Sequence, residues 1–138
     1  MSPRNSVIAA VLTAILLSLA CNAASPTATS VPGPVRATPY AAQPAAGLCG
    51  EAAGDEVVMT LEPGLPDPRC VTVTAAQHLR VVNRTGGAVT VALGSFRAEL
   101  DPEVEHVFAV PFGEYLLPGV HALQVDPCCG GELWLQQP

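Results

Sequence analysis

The sequence has no lysine, few aromatic residues and little charge of either sign. All six basic residues are arginine, aromatic residues make up 4% of the 138 positions, and charged residues make up 13%. The net charge of −6 argues against nucleic acid as a partner, because no basic stripe is available to neutralise phosphates. So little charge also excludes a charged coiled coil, and the length favours one domain.

The first 21 residues have the order of features of an export signal. Arg4 precedes the apolar run 7–20, which is shorter than the roughly 18 residues that a membrane-spanning helix needs. The run ends in Ala20 followed by Cys21, which resembles the bacterial lipoprotein signal. The resemblance implies a signal peptide at 1–20, acylation of Cys21 (as by palmitate), and a lipid-anchored protein on the extracytoplasmic side of a bacterial membrane. An ordinary secretory signal, with Cys21 incidental or removed, is the alternative.

Residues 21–47 are rich in Ala, Pro, Ser and Thr. They hold one charge, Arg36, one aromatic residue, Tyr40, and prolines that would break a helix. No apolar period appears, so the segment cannot bury enough surface to offset the entropy of ordering it. We therefore predict a disordered tether that lifts residues 48–138 off the membrane. A recognition peptide for a proline-binding partner is the alternative.

Residues 48–138 alternate short runs of Val, Leu and Thr with turns of Gly, Pro, Asn and Asp. Within several runs apolar and polar residues alternate, as where Val71 and Val73 lie opposite Thr72 and Thr74. Such alternation is typical of antiparallel sheets with one buried face. The sequence therefore predicts an all-β domain, a Greek-key sandwich of two sheets.

The order of motifs in this domain resembles the cupredoxin-like sandwich family over most of residues 56–136. The motifs that carry the resemblance are CVTVT at 70–74, LRVVN at 79–83, FGEYLLPGVH at 112–121 and GELWL at 131–135. His121 stands where copper-binding members have their second histidine. The positions of the first histidine (88–91), the cysteine (Leu117) and the methionine (122–127) carry other residues. The resemblance thus implies the fold without a blue-copper site, which needs two His and one Cys; an immunoglobulin-like sandwich is the alternative.

Four cysteines remain once Cys21 is assigned to lipid: Cys49, Cys70, Cys128 and Cys129. An even number in an oxidising compartment favours disulfides. A bond between the adjacent Cys128 and Cys129 would need a ring far from ordinary disulfide geometry. We therefore predict that Cys49 and Cys70 each pair with one of the adjacent two, in an order that the sequence leaves open. A soft-metal site and a redox-active pair at Cys128 and Cys129 are the alternatives.

The three histidines are far apart in the sequence, so only the fold could bring any of them together. His78 lies on the polar side of its strand and is predicted to be exposed, whereas His106 and His121 share apolar faces and are predicted to be partly buried. We predict no cofactor and no metal. The alternative is a copper site made from a set of four residues: His106, His121, Cys128 and Cys129.

No serine elbow, phosphate loop or paired-carboxylate motif occurs in the sequence, which favours a protein that is not an enzyme. The sequence therefore predicts a membrane-anchored, extracytoplasmic binding or structural module. Loops or a sheet edge would contact its partner, an unknown protein or small ligand. An extracytoplasmic protein that handles copper or another metal through His121 and the cysteines is the alternative.

Overall fold

The computed structural model describes residues 35–45 and 47–137. The predicted signal peptide, Cys21 and the tether up to residue 34 lie outside the described residues and stay predictions. In the described ranges, no helix has the length and apolarity that crossing a membrane would require.

Two β-sheets make up the domain, as the alternating pattern predicts. The all-β, two-sheet architecture is confirmed, and one four-residue helix, α1 (Phe112–Tyr115), interrupts it. The strands in the described part of the chain are β1 (Gly50–Glu51), β2 (Glu56–Leu61), β3 (Pro66–Asp67), β4 (Cys70–Val73), β5 (His78–Asn83), β6 (Val89–Leu93), β7 (Phe96–Leu100), β8 (Glu105–Phe108), β9 (Gly119–Asp126) and β10 (Gly131–Leu135).

The larger sheet has the order β1-β4-β10-β9-β6-β7, and the smaller sheet has the order β3-β2-β5-β8. Both sheets are mixed rather than purely antiparallel. The pairs β1–β4, β4–β10 and β2–β5 run parallel, because strands far apart in the sequence become neighbours. The last strand, β10, thereby lies beside β4 near the start of the domain.

The hydrophobic core lies between the two sheets. On β2 the side chains of Val57, Met59 and Leu61 are at most 1% exposed, while Val58 between them is 46% exposed. Leu133 and Leu135 of β10 contribute to the same core from the larger sheet. Burying each such side chain stabilises the fold by roughly 1.5–3 kcal/mol, so the two-residue period of the sequence fixes which face of each strand points inward.

Residues 35–45, which we call the strap, lie against the larger sheet. The strap pairs with the chain just before β9, at Leu116, and with the first residues of β9, at Val120. This part of β9 is open to the strap because β6 pairs with β9 only at residues 124–126. These residues are therefore not the free spacer that their composition predicts, because backbone N–H and C=O groups at an open sheet position can pair with an extended segment. Four backbone hydrogen bonds hold the strap: Ala37 N to Tyr115 O (2.7 Å), Leu117 N to Ala37 O (2.9 Å), Tyr40 N to Val120 O (3.0 Å) and Val120 N to Ala41 O (2.9 Å).

Candidate functional site

Cys49 and Cys70 form a disulfide, with their Cα atoms 4.7 Å apart. The pairing follows from the sheet, because β1 lies parallel to β4 with Gly50 opposite Val71. Cys49 comes directly before Gly50 and Cys70 directly before Val71, so this pairing brings the two cysteines side by side. The predicted pairing of each with the 128–129 pair is corrected: this bond joins the start of the domain to β4, not to the last hairpin.

Cys128 and Cys129, which the prediction pairs with Cys49 and Cys70, lie next to each other with their Cα atoms 3.8 Å apart. The pair lies in the turn between β9 and β10, with Cys128 exposed and Cys129 half-buried.

A groove of about 1020 Å³ runs past Cys70 and Cys128. Exposed residues of β9, Ala122 and Gln124, line it from the side of the sheet that faces away from the core. Charged and sulfur-containing side chains from the neighbouring loops and strands also line it: Asp67, Arg69, Cys70, Cys128 and Glu132. The groove therefore brings together two cysteines and charges of both signs.

The strap reaches the groove at Ala45, which lines it, and Tyr40 of the strap contacts Glu132 of the same lining. The hydroxyl of Tyr40 donates a hydrogen bond to Oε1 of Glu132, and the backbone N–H of Ala45 donates to the same oxygen at 3.3 Å. Burial, the hydrogen bond and the negative charge of Glu132 together raise the pKa of Tyr40 to about 12. The sequence signals neither partner as a site residue, although Tyr40 is the single aromatic side chain among the small residues of the predicted tether.

His121 is buried on β9 at 4% exposure, and its Nε2 donates a hydrogen bond to the carbonyl oxygen of Leu117 at 2.7 Å. The predicted buried histidine with one hydrogen-bond partner is found there. His106, in contrast, is exposed, because β8 is an edge strand and its outer margin is left uncovered. His78 is half-buried rather than exposed, because β5 lies between β2 and β8.

The structure does not bring the alternative copper ligands together. His106 belongs to the smaller sheet and His121 to the larger one, while Cys128 and Cys129 lie in the turn between β9 and β10. Throughout the described ranges, no three His, Cys, Asp or Glu side chains are grouped so that they could hold an ion. The described residues therefore do not assemble the alternative copper site.

Solved structures of similar shape include copper proteins. A Cu-containing nitrite reductase from Thermus scotoductus aligns with 59% of this chain at 11% identity and a TM-score of 0.47, and the chain spans 22% of that enzyme. A reduced Cu(I) form of an amicyanin mutant aligns with 62% of this chain and 86% of its own length, at 10% identity and a TM-score of 0.47. No protein-family model and no curated protein matches the chain. At this identity and TM-score the likeness concerns the shape of the sandwich alone and gives no argument for copper or for catalysis in this chain.

Proposed function

We propose that this protein is a lipid-anchored, extracytoplasmic binding module without catalytic activity. The observation that carries the proposal is the Cys49–Cys70 disulfide, because structural disulfides form and persist in oxidising compartments outside the cytoplasm. Cys21, which follows a short apolar run, supplies the point of lipid attachment. Export and anchoring are thus two consequences of the same signal.

The groove beside the Cys49–Cys70 disulfide is the surface that supports a binding role. Its volume of about 1020 Å³ lies near the upper end of the roughly 300–1,000 Å³ typical of small-ligand sites. Leu48 at its rim is 95% exposed, so the lining offers an apolar contact next to charged groups. The described lining contains no serine, threonine or histidine, and therefore no hydroxyl nucleophile with an imidazole base.

Detergent phase partition of the full-length protein, produced in a bacterial host that acylates lipoproteins, tests the anchor. The wild type is expected in the detergent phase and Cys21→Ser in the aqueous phase, because the acyl chains are lost. The double variant Cys128→Ser/Cys129→Ser is the matched control and is expected in the detergent phase, since it removes cysteines without changing the signal. A Cys21→Ser protein that stays in the detergent phase contradicts the anchor.

Photo-crosslinking in living cells tests the groove as the binding surface. A photoreactive amino acid placed at Gln124, which lines the groove, is expected to give crosslinked products. The control position is Val58, which is exposed on the outer face of the smaller sheet. Equal crosslinking from both positions, or none from Gln124, contradicts binding in the groove.

A further inference from the structure

The single tryptophan of the chain, Trp134, lies outside the hydrophobic core. It alternates with the buried Leu133 and Leu135 on β10, so it points away from the core and is half-buried on the outer face of the larger sheet. A buried aromatic side chain is among the largest contributions that one residue makes to a core. Because Trp134 makes no such contribution, the stability of the core does not account for its position.

Trp134 lines a cleft of about 420 Å³ at the end of β10. The opposite wall comes from Ala42 of the strap and from Pro118 and Gly119 at the start of β9. The volume lies within the roughly 300–1,000 Å³ typical of small-ligand sites. The strap thus helps to form a concave site beside an aromatic ring.

The described lining of this cleft carries no charge. It contains no acidic or basic residue, whereas the groove holds Asp67, Arg69 and Glu132. The polar side chains of the cleft are the amides of Gln136 and Gln137, both exposed directly after β10. Each amide offers two N–H donors and an acceptor oxygen. The described lining therefore offers no counter-charge to an ionic ligand, but it offers donors and acceptors to a neutral one.

A hydroxyl group adjoins the tryptophan from the neighbouring strand. Thr72 of β4 lies opposite Trp134 in the sheet. It is half-buried between the buried Val71 and Val73, so it points to the same outer face as the indole ring. The indole ring is thus bordered by a hydroxyl on the adjacent strand and by amides along its own strand.

We propose that the cleft at Trp134 binds a neutral pyranose sugar within an oligosaccharide. A pyranose has a face of C–H groups, which packs against the electron-rich face of an indole ring. Its hydroxyl groups donate and accept hydrogen bonds, as amides and hydroxyls do. Both features of the sugar have a counterpart in the cleft. Neither the lipid anchor nor the groove of the proposed function is involved, so the two are tested separately from this site.

The fluorescence of Trp134 tests the sugar site directly, because no other tryptophan contributes to the emission. The full-length protein, in a detergent without a sugar headgroup, is titrated with cellotetraose, chitotetraose and maltotetraose. We expect a saturable change in emission with at least one of these neutral oligosaccharides, with a Kd of about 1 mM or lower. The absence of a saturable change with all of them overturns the proposal.

Matched glutamine variants locate the site. Gln136→Ala/Gln137→Ala keeps the fluorescent ring, and we expect it to raise the Kd about tenfold because two neutral hydrogen bonds are lost. The control is Gln124→Ala, which removes an exposed amide that lines the groove on the same face of the sheet and should leave the Kd unchanged. An unchanged Kd in the double variant, or an equal effect of Gln124→Ala, overturns the assignment of the cleft.

Replacing the ring tests the stacking contact, with binding followed by isothermal titration calorimetry and folding by circular dichroism. We expect Trp134→Phe to retain weakened binding and Trp134→Ala to lose it, because only phenylalanine keeps an aromatic face. Wild-type affinity in Trp134→Ala overturns the proposal, and the glutamine variants keep it testable if this variant does not fold. Proline-rich peptides also pack on exposed aromatic rings, so decaproline is titrated in parallel. A cleft that binds decaproline and none of the oligosaccharides is a peptide site, which overturns the proposal.

Discussion

Replacing Cys49 and Cys70 by alanine should remove much of the stability of the domain. The bond spans a sequence separation of 21, and the strands β1, β2 and β3 lie within the loop that it closes. For a loop of this length the chain-entropy relation gives a loss of about 11 cal/mol/K from the unfolded chain, or about 3 kcal/mol at 25 °C. Alanine is preferred to serine because Cys70 is 5% exposed, and a hydroxyl there would add the cost of burying a polar group.

Urea unfolding of the wild type and of Cys49→Ala/Cys70→Ala measures the effect. The fluorescence of Trp134 reports the transition, since it is the single tryptophan of the chain and is half-buried on β10. We expect the free energy of unfolding to fall by about 3 kcal/mol and the m-value to rise, because the unfolded chain without the bond is more expanded.

The control for this experiment is Cys128→Ala/Cys129→Ala. It removes the same number of sulfur atoms from two adjacent residues, between which no loop could be closed, so its free energy of unfolding should stay at the wild-type value. A loss below about 1 kcal/mol in the first variant, outside the usual range for a loop-closing disulfide, would refute the reasoning. An equal loss in both variants would refute it too, because loop length would then not be the cause.

Two further predictions concern polar side chains with unusual surroundings. No phenol should titrate near pH 10 in the native protein, because burial and Glu132 raise the pKa of Tyr40 from 10.0 to about 12 and burial raises the pKa of Tyr115 further. The raised pKa of Tyr40 means that its contact with Glu132 stabilises the fold fully below pH 10, and that this stabilisation is lost as the pH rises through about 12. Absorbance at 295 nm follows the ionisation of Tyr40, and Tyr40→Phe should abolish the ionisation near pH 12. A phenol with an ordinary midpoint contradicts the strap contact. Asn83→Ala should lower the free energy of unfolding by about 3 kcal/mol, because the buried amide of Asn83 donates to the carbonyl oxygens of Gly87, Leu100 and Asp101. Asn83→Asp, which keeps the acceptor for Thr85 but turns a carboxylate oxygen toward the three carbonyl oxygens, should lower the free energy of unfolding as well in the same urea assay. An Asn83→Ala protein as stable as the wild type contradicts the prediction.

The sequence predicts best those strands that have one buried face and one solvent-exposed face. On β10 the outward residues Glu132 and Trp134 alternate with buried Leu133 and Leu135, so the two-residue period is visible in the sequence. The two-residue period gives no guidance at 114–117, which contains the end of α1. There Tyr115 and Leu116 are both buried, and the backbone N–H of Leu116 bonds to the oxygen of Phe112 at 2.8 Å. Consecutive buried residues carry no signal that separates a turn of helix from a strand.

The disulfide pairing depends on which strands are neighbours, and that is a long-range property. β4 lies between β1 and β10, so Cys70 is near both the start of the domain and its last hairpin, and Glu132 lies opposite it on β10. The start of the domain and its last hairpin therefore lie close together, as the predicted disulfides require. The partner of Cys70 is decided by the register of β1, a two-residue strand too short to be recognised in the sequence.

The strap shows why composition alone misplaces the start of the folded part. Gly119 has a φ of 132°, and a Cβ atom at this position would lie 2.5 Å from Pro39. A Cβ on Gly94 would lie 3.1 Å from that of Ala37. The small residues of the strap predict disorder because they bury little surface by themselves. The same residues fit closely against the sheet. Composition measures the apolar area that a segment can bury alone, whereas the strap is held by backbone hydrogen bonds to a position that β6 leaves open. A tether predicted from composition will therefore extend too far along the chain wherever the adjoining sheet has an open position within reach.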